Sequence, residues 1–377
     1  MITVSHHLLV DASCAVSGYV EDLRADLVQD SARIALLCER YGVGGLRDLG
    51  SGVPAKMRFA SVNSSINNIG GTISITDLPP LNRSEIYVNK MSQLDEIISL
   101  CALIHEEWLG VRTSTPEFFQ AVREVAAPKG VRVCGRGSAV RKAAENGDIQ
   151  LIDGIASLFP NKTSPMSVLI AVAEASDTMF RELTDSLSQS GIGICTGLIA
   201  LRRSIFVKEA LQAPHLEELA DIIPHSRYLY EMRQATGYLA GKRALEKHSG
   251  MREPTNKERH LLEEGWDRLM KWIREASIGG VNFLPASKAP QLAVVPGYGL
   301  LEELALLADC GINPMNLIQI ATIKTPDILG ANCIPGMLSA MNCDSIPVTA
   351  DSQTDSELKS VVTRDTFLSI KGKNLSN

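Results

Sequence analysis

VVPGYGLLEELALLADCGINPMNLIQIATIKTPDILG, residues 294–330, reads as two helices in tandem behind a glycine turn. Gly297 and Gly299 loosen the chain after an apolar run, and Leu300, Leu301, Leu304, Leu307 and Ala308 then recur at helical spacing. Glu302, Glu303 and Asp309 fall on the other faces, where the two glutamates are expected as helix surface and as partners of the N-terminal dipole. Gly311 stops this helix, and Asn313-Pro314 opens the next with a cap and a first-turn proline. Met315, Leu317, Ile318 and Ala321 are its expected buried side. An amphipathic pair of this kind closes a large domain.

The chain is long enough for that. Its 377 residues, 45% hydrophobic, suit one large α/β domain with a small appendage. No run approaches the ~20 apolar residues of a membrane helix. Met1-Ile-Thr-Val carries no basic segment ahead of an apolar core, so a soluble, cytoplasmic protein without membrane partners is expected. Eight cysteines stand singly, with no CxxC pair, and read as buried free thiols. A net charge of −6 without strong charge runs, and 5% aromatics, give no nucleic-acid groove, so the expected partner is a small-molecule substrate.

Apolar β-type runs alternate with amphipathic stretches, the pattern of repeated βα units around a parallel sheet. The first run is Ile2 to Val10, followed by a helix near Asp22 to Tyr41 with Leu27, Ile34, Leu37 and Cys38 inward. Val43 to Leu49 is the second run, Ser99 to Val111 a helix and strand, Thr115 to Lys129 a helix, and Val131 to Gly135 a strand. The polar interval from about 205 to 270 is helical in composition, with a cap at Thr255-Asn256, and is expected as an insertion or lid.

Several segments carry a family resemblance. The glycine turn, xEL, AGxxP and AT…LG pattern of 294–330 resembles the last barrel unit of the amidohydrolase superfamily, in the imidazolonepropionase and prolidase-like branch. GVGGLRDLGS (42–51) is similar to that superfamily's GVTTVRDLGS. GVRVCGRGS (130–138), continuing to Leu158, is similar to its fifth and sixth units. GIGICTGLIALRR (191–203) matches its v.PTL strand with Thr196 at the threonine, and GVNFLPASKAP (280–290) its GVxxxxGTDAP eighth strand. The resemblance implies a (β/α)8 TIM-type barrel over residues 1–330, with a reduced or absent β-sandwich and a remnant of it in 331–377.

It also implies a metal site: an HxH pair on strand one, a lysine or glutamate on strand four, histidines on five and six, an aspartate on eight. Here those positions read Ser5 and His7, a place near Gly110 with His105 and Glu107 close by, Arg136, Ser157 after Ala156, and Lys288. His7 alone cannot supply the three or four ligands such a metal needs, so no metal or other cofactor is expected. Arg136 and Lys288 instead bring fixed positive charge to strand C-termini, where barrel active sites lie. Two readings remain open: an electropositive pocket for an anionic or carbonyl-bearing ligand, or drift to solvent-exposed cations after metal loss.

The expected catalytic residues are His7, Arg136 and Lys288, with Asp153, Thr196, Tyr298 and His105 binding substrate. His7 reads equally as a core histidine and Tyr298 as a structural tyrosine; Asp153 would weaken the pocket by pairing with either cation. Arg47 and Asp48 read as a structural pair, and His215, His225, His248 and His260 have no metal-like spacing. Met1 falls almost on the first strand. The weak strands Ser345 to Ala350 and Thr366 to Lys371 are expected to pair with the barrel edge, with a second subunit as a homodimer, or not at all. Two functions follow as expectations: a metal-independent enzyme performing a cyclisation, elimination, isomerisation or hydrolysis, or a pseudoenzyme that binds a ligand or stabilises a partner.

Overall fold

A computed structural model describes residues 9–14, 31–48, 50–61, 66–80, 85–159, 164–206, 209–210, 212–220, 254–290 and 293–331. The strands are β1 (Leu9–Asp11), β2 (Val43–Leu46), β3 (Asn67–Asn68), β4 (Ile73–Thr76), β5 (Glu85–Tyr87), β6 (Trp108–Arg112), β7 (Arg132–Arg136), β8 (Leu151–Asp153), β9 (Gly193–Cys195) and β10 (Asn282–Leu284). Between and after them run α1 (Ser31–Arg40), α2 (Val53–Ser61), α3 (Gln93–Leu103), α4 (Pro116–Ala126), α5 (Val140–Glu145), α6 (Pro165–Glu174), α7 (Asp177–Ser190), α8 (Leu198–Ile205), α9 (Leu216–Ala220), α10 (Asn256–Ile278), α11 (Tyr298–Asp309) and α12 (Pro314–Gln319). Past α12 the chain stays helical through a π segment to Leu329.

All pairings are parallel, in two ladders: β1-β2-β3 and β10-β9-β8-β7-β6-β4-β5. The chain from β3 to β4 carries one ladder into the other, and at the opposite seam the Ala12 amide donates to Pro285 O at 3.0 Å, just past β10. With β3 and β4 as one interrupted strand and β5 as an extra edge strand, the order is that of a TIM-type (β/α)8 barrel. Two cores agree with this. A small one contains Val10, Trp108, Cys134, Leu151, Cys195 and Leu284, one side chain from each of six strands, as the inside of a barrel requires. The larger one lies between strands and helices. Leu329 joins the inner core, and its carbonyl accepts from Trp108 Nε1 at 3.0 Å, so the last helix seals the end where the strands begin.

Local signals explain most elements. Thr255 and Glu258 form a reciprocal capping box at the start of α10, and Ser164 and Ser167 do the same for α6. α10 buries Leu262, Trp266, Leu269 and Trp272 and packs against α6 before feeding β10. The last part of the expected 205–270 insertion, from Asn256 on, is therefore the helix that precedes β10; 221–253 lie outside the described residues, as do 332–377 with both weak strands. Of the expected first strand, Ile2 to Leu8 lie outside the described residues; the described part, Leu9–Asp11, runs one residue beyond the expected end at Val10. The six described cysteines are buried free thiols. Among the described residues no helix is long and apolar enough to cross a membrane.

Glu302 and Glu303 correct the expectation of helix surface: both are buried. Glu302 takes a bidentate bond from Arg203 Nη2, 2.7 Å to each oxygen. Glu303 accepts from the Thr196 hydroxyl and from the Leu198 and Ile199 amides at 2.9 and 2.7 Å, so a side chain of α11 satisfies the first amides of α8. Periodicity counted these carboxylates as outside because only the distant α8 supplies the donors that make their burial tolerable.

Burial raises the Glu303 carboxyl to about 7 against those hydrogen bonds, which lower it. Its unfolded counterpart titrates near 4.5, so the protonated form favours folding; that contribution is complete below about 4.5 and lost as pH rises through about 7. Glu303→Gln should flatten this part of the stability profile: urea midpoints at pH 5 and pH 7 should differ less in the variant than in the wild type. An equal or larger difference would show that Glu303 is not the titrating group.

Candidate functional site

Strand C-termini carry the site because parallel strands of a barrel all end at one face. There a cavity of about 830 Å³ is bounded by Arg112 of β6, Arg136 of β7, Asp153 of β8, Thr196 after β9 and Lys288 after β10. Its size suits a small organic ligand.

Asp153 is the hub. It is 7% exposed, and its Oδ1 accepts from Ser13 Oγ at 2.9 Å, Arg47 Nη2 at 3.0 Å and Lys288 Nζ at 3.2 Å. Burial disfavours the carboxylate, but Lys288, Arg47 and Arg136 together outweigh it and hold the group ionised well below the usual carboxylate range. Arg47 is itself buried, donating Nε to Ala12 O at 2.8 Å and Nη2 to Ser13 Oγ at 3.2 Å. It does not pair with the Asp48 carboxylate as expected; Asp48 accepts from the Ser51 hydroxyl at 2.6 Å. Cys195 Sγ lies 3.9 Å from Arg47 Nη2, yet burial keeps this thiol up at about 11 and therefore protonated.

Lys288 reaches Asp153 by a built path. Its backbone amide donates to Ser13 O at 2.8 Å, and its φ of +54° lies in the left-handed region, which costs a lysine about 1 kcal/mol or more. The side chain then runs between two glycines. A Cβ on Gly154 would stand 2.8 Å from Nζ, and one on Gly197 2.8 Å from Cδ. The ammonium donates to Asp153 O at 3.1 Å as well as to Oδ1, which uses two of its three N–H groups.

Arg136 and Arg112 lie directly opposite each other across β7 and β6. Glu85 relieves the repulsion: it accepts two bonds of 2.8 Å from Arg112 and a single longer one, 3.4 Å, from Arg136 Nη2. Arg112 also donates to Pro79 O at 2.7 Å and is largely committed. Arg136 keeps most of its donors without a protein partner among the described residues.

The structure brings together Arg136, Lys288, Asp153 and Thr196, with Ser157 donating to Asp153 O at 3.4 Å. Thr196 borders the cavity, but its hydroxyl is engaged by Glu303 and Leu284 O. Two expected residues lie elsewhere. His105 is exposed in the turn that enters β6, at the opposite end of the strands. Tyr298 is buried at the start of α11, its ring 5.3 Å from that of Tyr41 and 4.7 Å from that of His215, in the helical layer. His7 and Ser5 lie outside the described residues; the end of the described first strand presents Asp11 and Ser13 instead. Ser13, Arg112 and Glu85 were not anticipated, and Arg47 was expected only as a structural partner of Asp48. Arg112 had a sequence signal, since it ends β6 as Arg136 ends β7.

The described donors do not assemble the divalent-metal site that this kind of barrel implies, and the first-strand positions Ser5 and His7 lie outside them. Among the described residues no three His, Cys, Asp or Glu side chains converge to hold an ion. Among the described strand ends Asp153, onto which three elements converge, already neutralises two cations at about 3 Å. Asp11 is buried with Oδ2 unpartnered, but burial raises its carboxyl to about 6 and its Oδ1 is taken by the Ser13 and Ser287 amides.

No protein-family model and no curated protein matches the chain. Among solved structures it is similar to bottromycin amidohydrolase, with a TM-score of 0.58 at 18% identity over 86% of this chain and 67% of the other. It is also similar to an ochratoxinase from A. niger, TM-score 0.52 at 14% identity over 86% and 71%. A third is a Xaa-Pro dipeptidase solved with methionine in its active site, TM-score 0.51 at 14% identity over 86% and 75%. These structures share the amidohydrolase fold with the chain.

If Asp153 is the hub, its removal should harm stability more than removal of a spoke. Asp153→Asn leaves Arg47 buried without a counter-charge and should lose about 3–5 kcal/mol in urea unfolding. Lys288→Met leaves Asp153 with Arg47 and Ser13 and should lose clearly less. The reverse order would show that Lys288, not Asp153, organises the cluster.

Proposed function

We propose that this chain is an enzyme on an amidohydrolase-type barrel in which fixed side-chain charge stands where the family resemblance implies a metal, acting on a small anionic or carbonyl-bearing molecule. The observation that carries this reading is the Lys288 ammonium held over Asp153 between Gly154 and Gly197 at the cavity wall. Its remaining N–H is available to an incoming carbonyl oxygen, and a pre-oriented cation in a sheltered site stabilises the negative charge that develops there. Asp153 is a weak base while its cations hold it ionised, so its work is to orient the ammonium. Arg136 offers a rigid fork to an anionic group of the ligand. Hydrolysis, cyclisation, elimination and isomerisation all develop charge on a carbonyl oxygen, and the arrangement supports each of them.

A second reading, a ligand-binding protein without turnover, is favoured by one observation. Two N–H groups of Lys288 and all three donors on Asp153 Oδ1 are satisfied within the protein, as in a static network.

Both readings are tested by screening the purified chain against amides, lactams and esters bearing a carboxylate, before and after dialysis against a chelator. Turnover should survive dialysis, and Lys288→Met should lower kcat by about 10²–10³, the loss typical of one transition-state donor. Activity that disappears with the chelator and returns with zinc would overturn the proposal. Binding without turnover, unaffected by Lys288→Met, would favour the second reading.

A further inference from the structure

The cavity is divided in chemistry around the barrel axis. Its cations come from the ends of β6 and β7 and from the loop after β10, Arg112, Arg136 and Lys288, and its carboxylate, Asp153, ends β8. Beyond Asp153 the arc above β8 and β9 is mostly apolar, formed by Ile155 and Phe159 after β8, Val168 on α6, and Ala200 and Leu201 on α8, with the Ser157, Ser164 and Ser204 hydroxyls among them. The five apolar side chains are all well sequestered from solvent on the protein side, Ala200, Phe159 and Val168 at 4% and Leu201 at 7%. The wall is thus fixed by the packing of two helices.

We infer that the site takes an amphiphilic oxyanion: a carboxylate seated on Arg136, joined to an apolar acyl or aryl group that lies along the β8–β9 wall. This deepens the proposed function and rests on it for the location of the site, but not on Lys288 chemistry. Three observations lead to it. Among the described residues the Arg136 side chain hydrogen-bonds protein once, through a long bond to Glu85, and retains the planar pair of donors that a carboxylate matches. Among the described residues the cavity wall and the groups paired with it hold Arg47, Arg112, Arg136 and Lys288 against Asp153 and Glu85, a surplus of positive charge that an anion would balance. Past Asp153, whose carboxylate is taken by Arg47 and Lys288, the arc offers no cation, so a ligand that was anionic throughout would leave part of its charge desolvated and unpaired there.

The probes are acetate, octanoate and octanol, titrated calorimetrically into the full chain at pH 7. Each methylene laid on an apolar wall is worth up to about fourfold in affinity, so octanoate should bind at least tenfold more tightly than acetate. It should also bind at least tenfold more tightly than octanol, which lacks the anion. Arg136→Met should remove the preference for octanoate over octanol and leave octanol unchanged. Val168→Trp, which fills the wall, should reduce octanoate to the level of acetate; Val168→Ala should retain binding and serves as the check on folding. Equal affinity for octanoate and octanol in the wild type would overturn the anion seat, and equal affinity for octanoate and acetate the apolar wall. Lys288→Met separates the two proposals: if it abolishes turnover of a substrate while octanoate still binds without selectivity, this inference fails and the proposed function stands. If octanoate binds selectively and no substrate depends on Lys288, the converse holds.

Discussion

One buried carboxylate organises the face of this barrel where the strands end. Asp153 draws a hydroxyl from the chain after β1, a guanidinium from the chain after β2 and an ammonium from the loop after β10 onto a single oxygen atom. These three elements lie on the far side of the barrel seam from β8, or next to it, and among the described residues the seam carries two backbone bonds, Ala12 N to Pro285 O and Lys288 N to Ser13 O. The ion cluster therefore reinforces across the seam a short backbone pairing. A bound divalent cation would draw acidic and imidazole groups from several strands to one point. Here an anion draws cations and hydroxyls, with the charges reversed and the geometry of convergence kept.

That reversal has an electrostatic consequence. Isolated charges at this depth would be costly, and Arg47 at 2% exposure is tolerable only because four acceptors surround it. Lys288 sits at the outer edge of the cluster, 13% exposed, where one donor can still meet a ligand. The cluster is inward-neutral and outward-positive. Arg136 extends the same polarity to β7, since Glu85 is mostly used by Arg112.

Sequence reading reached the parts of this arrangement that local pattern controls. The helices of 294–330, the β7 and β8 strands, and the positions of Arg136, Asp153 and Lys288 all follow from periodicity, caps and resemblance to a repeating unit. What it missed depends on long separations. Arg47 stands beside Asp48 in the chain but bonds Asp153, 106 residues away. Glu303 reads as surface because its donors lie more than 100 residues earlier. The first run was expected to end at Val10, one residue short of the described strand end at Asp11, and Ser13 just beyond it was passed over. His105 was drawn toward the site by proximity to β6, although it precedes that strand and so stands at its entry rather than its exit.

The same geometry bears on whether the cations are relics. A lysine that accumulated once a site was abandoned would be free to point into solvent, and any backbone would carry it. Lys288 is instead mostly sheltered, takes up a φ that disfavours its own residue type, and passes between two positions where any side chain larger than hydrogen would collide with it. Gly154 and Gly197 belong to two different strand ends, and both have positive φ, so the passage is set by backbone conformations that a side-chain change alone would not create. Drift accounts for the presence of a cation but for none of these three features. They fit a lysine whose position matters to something bound above it.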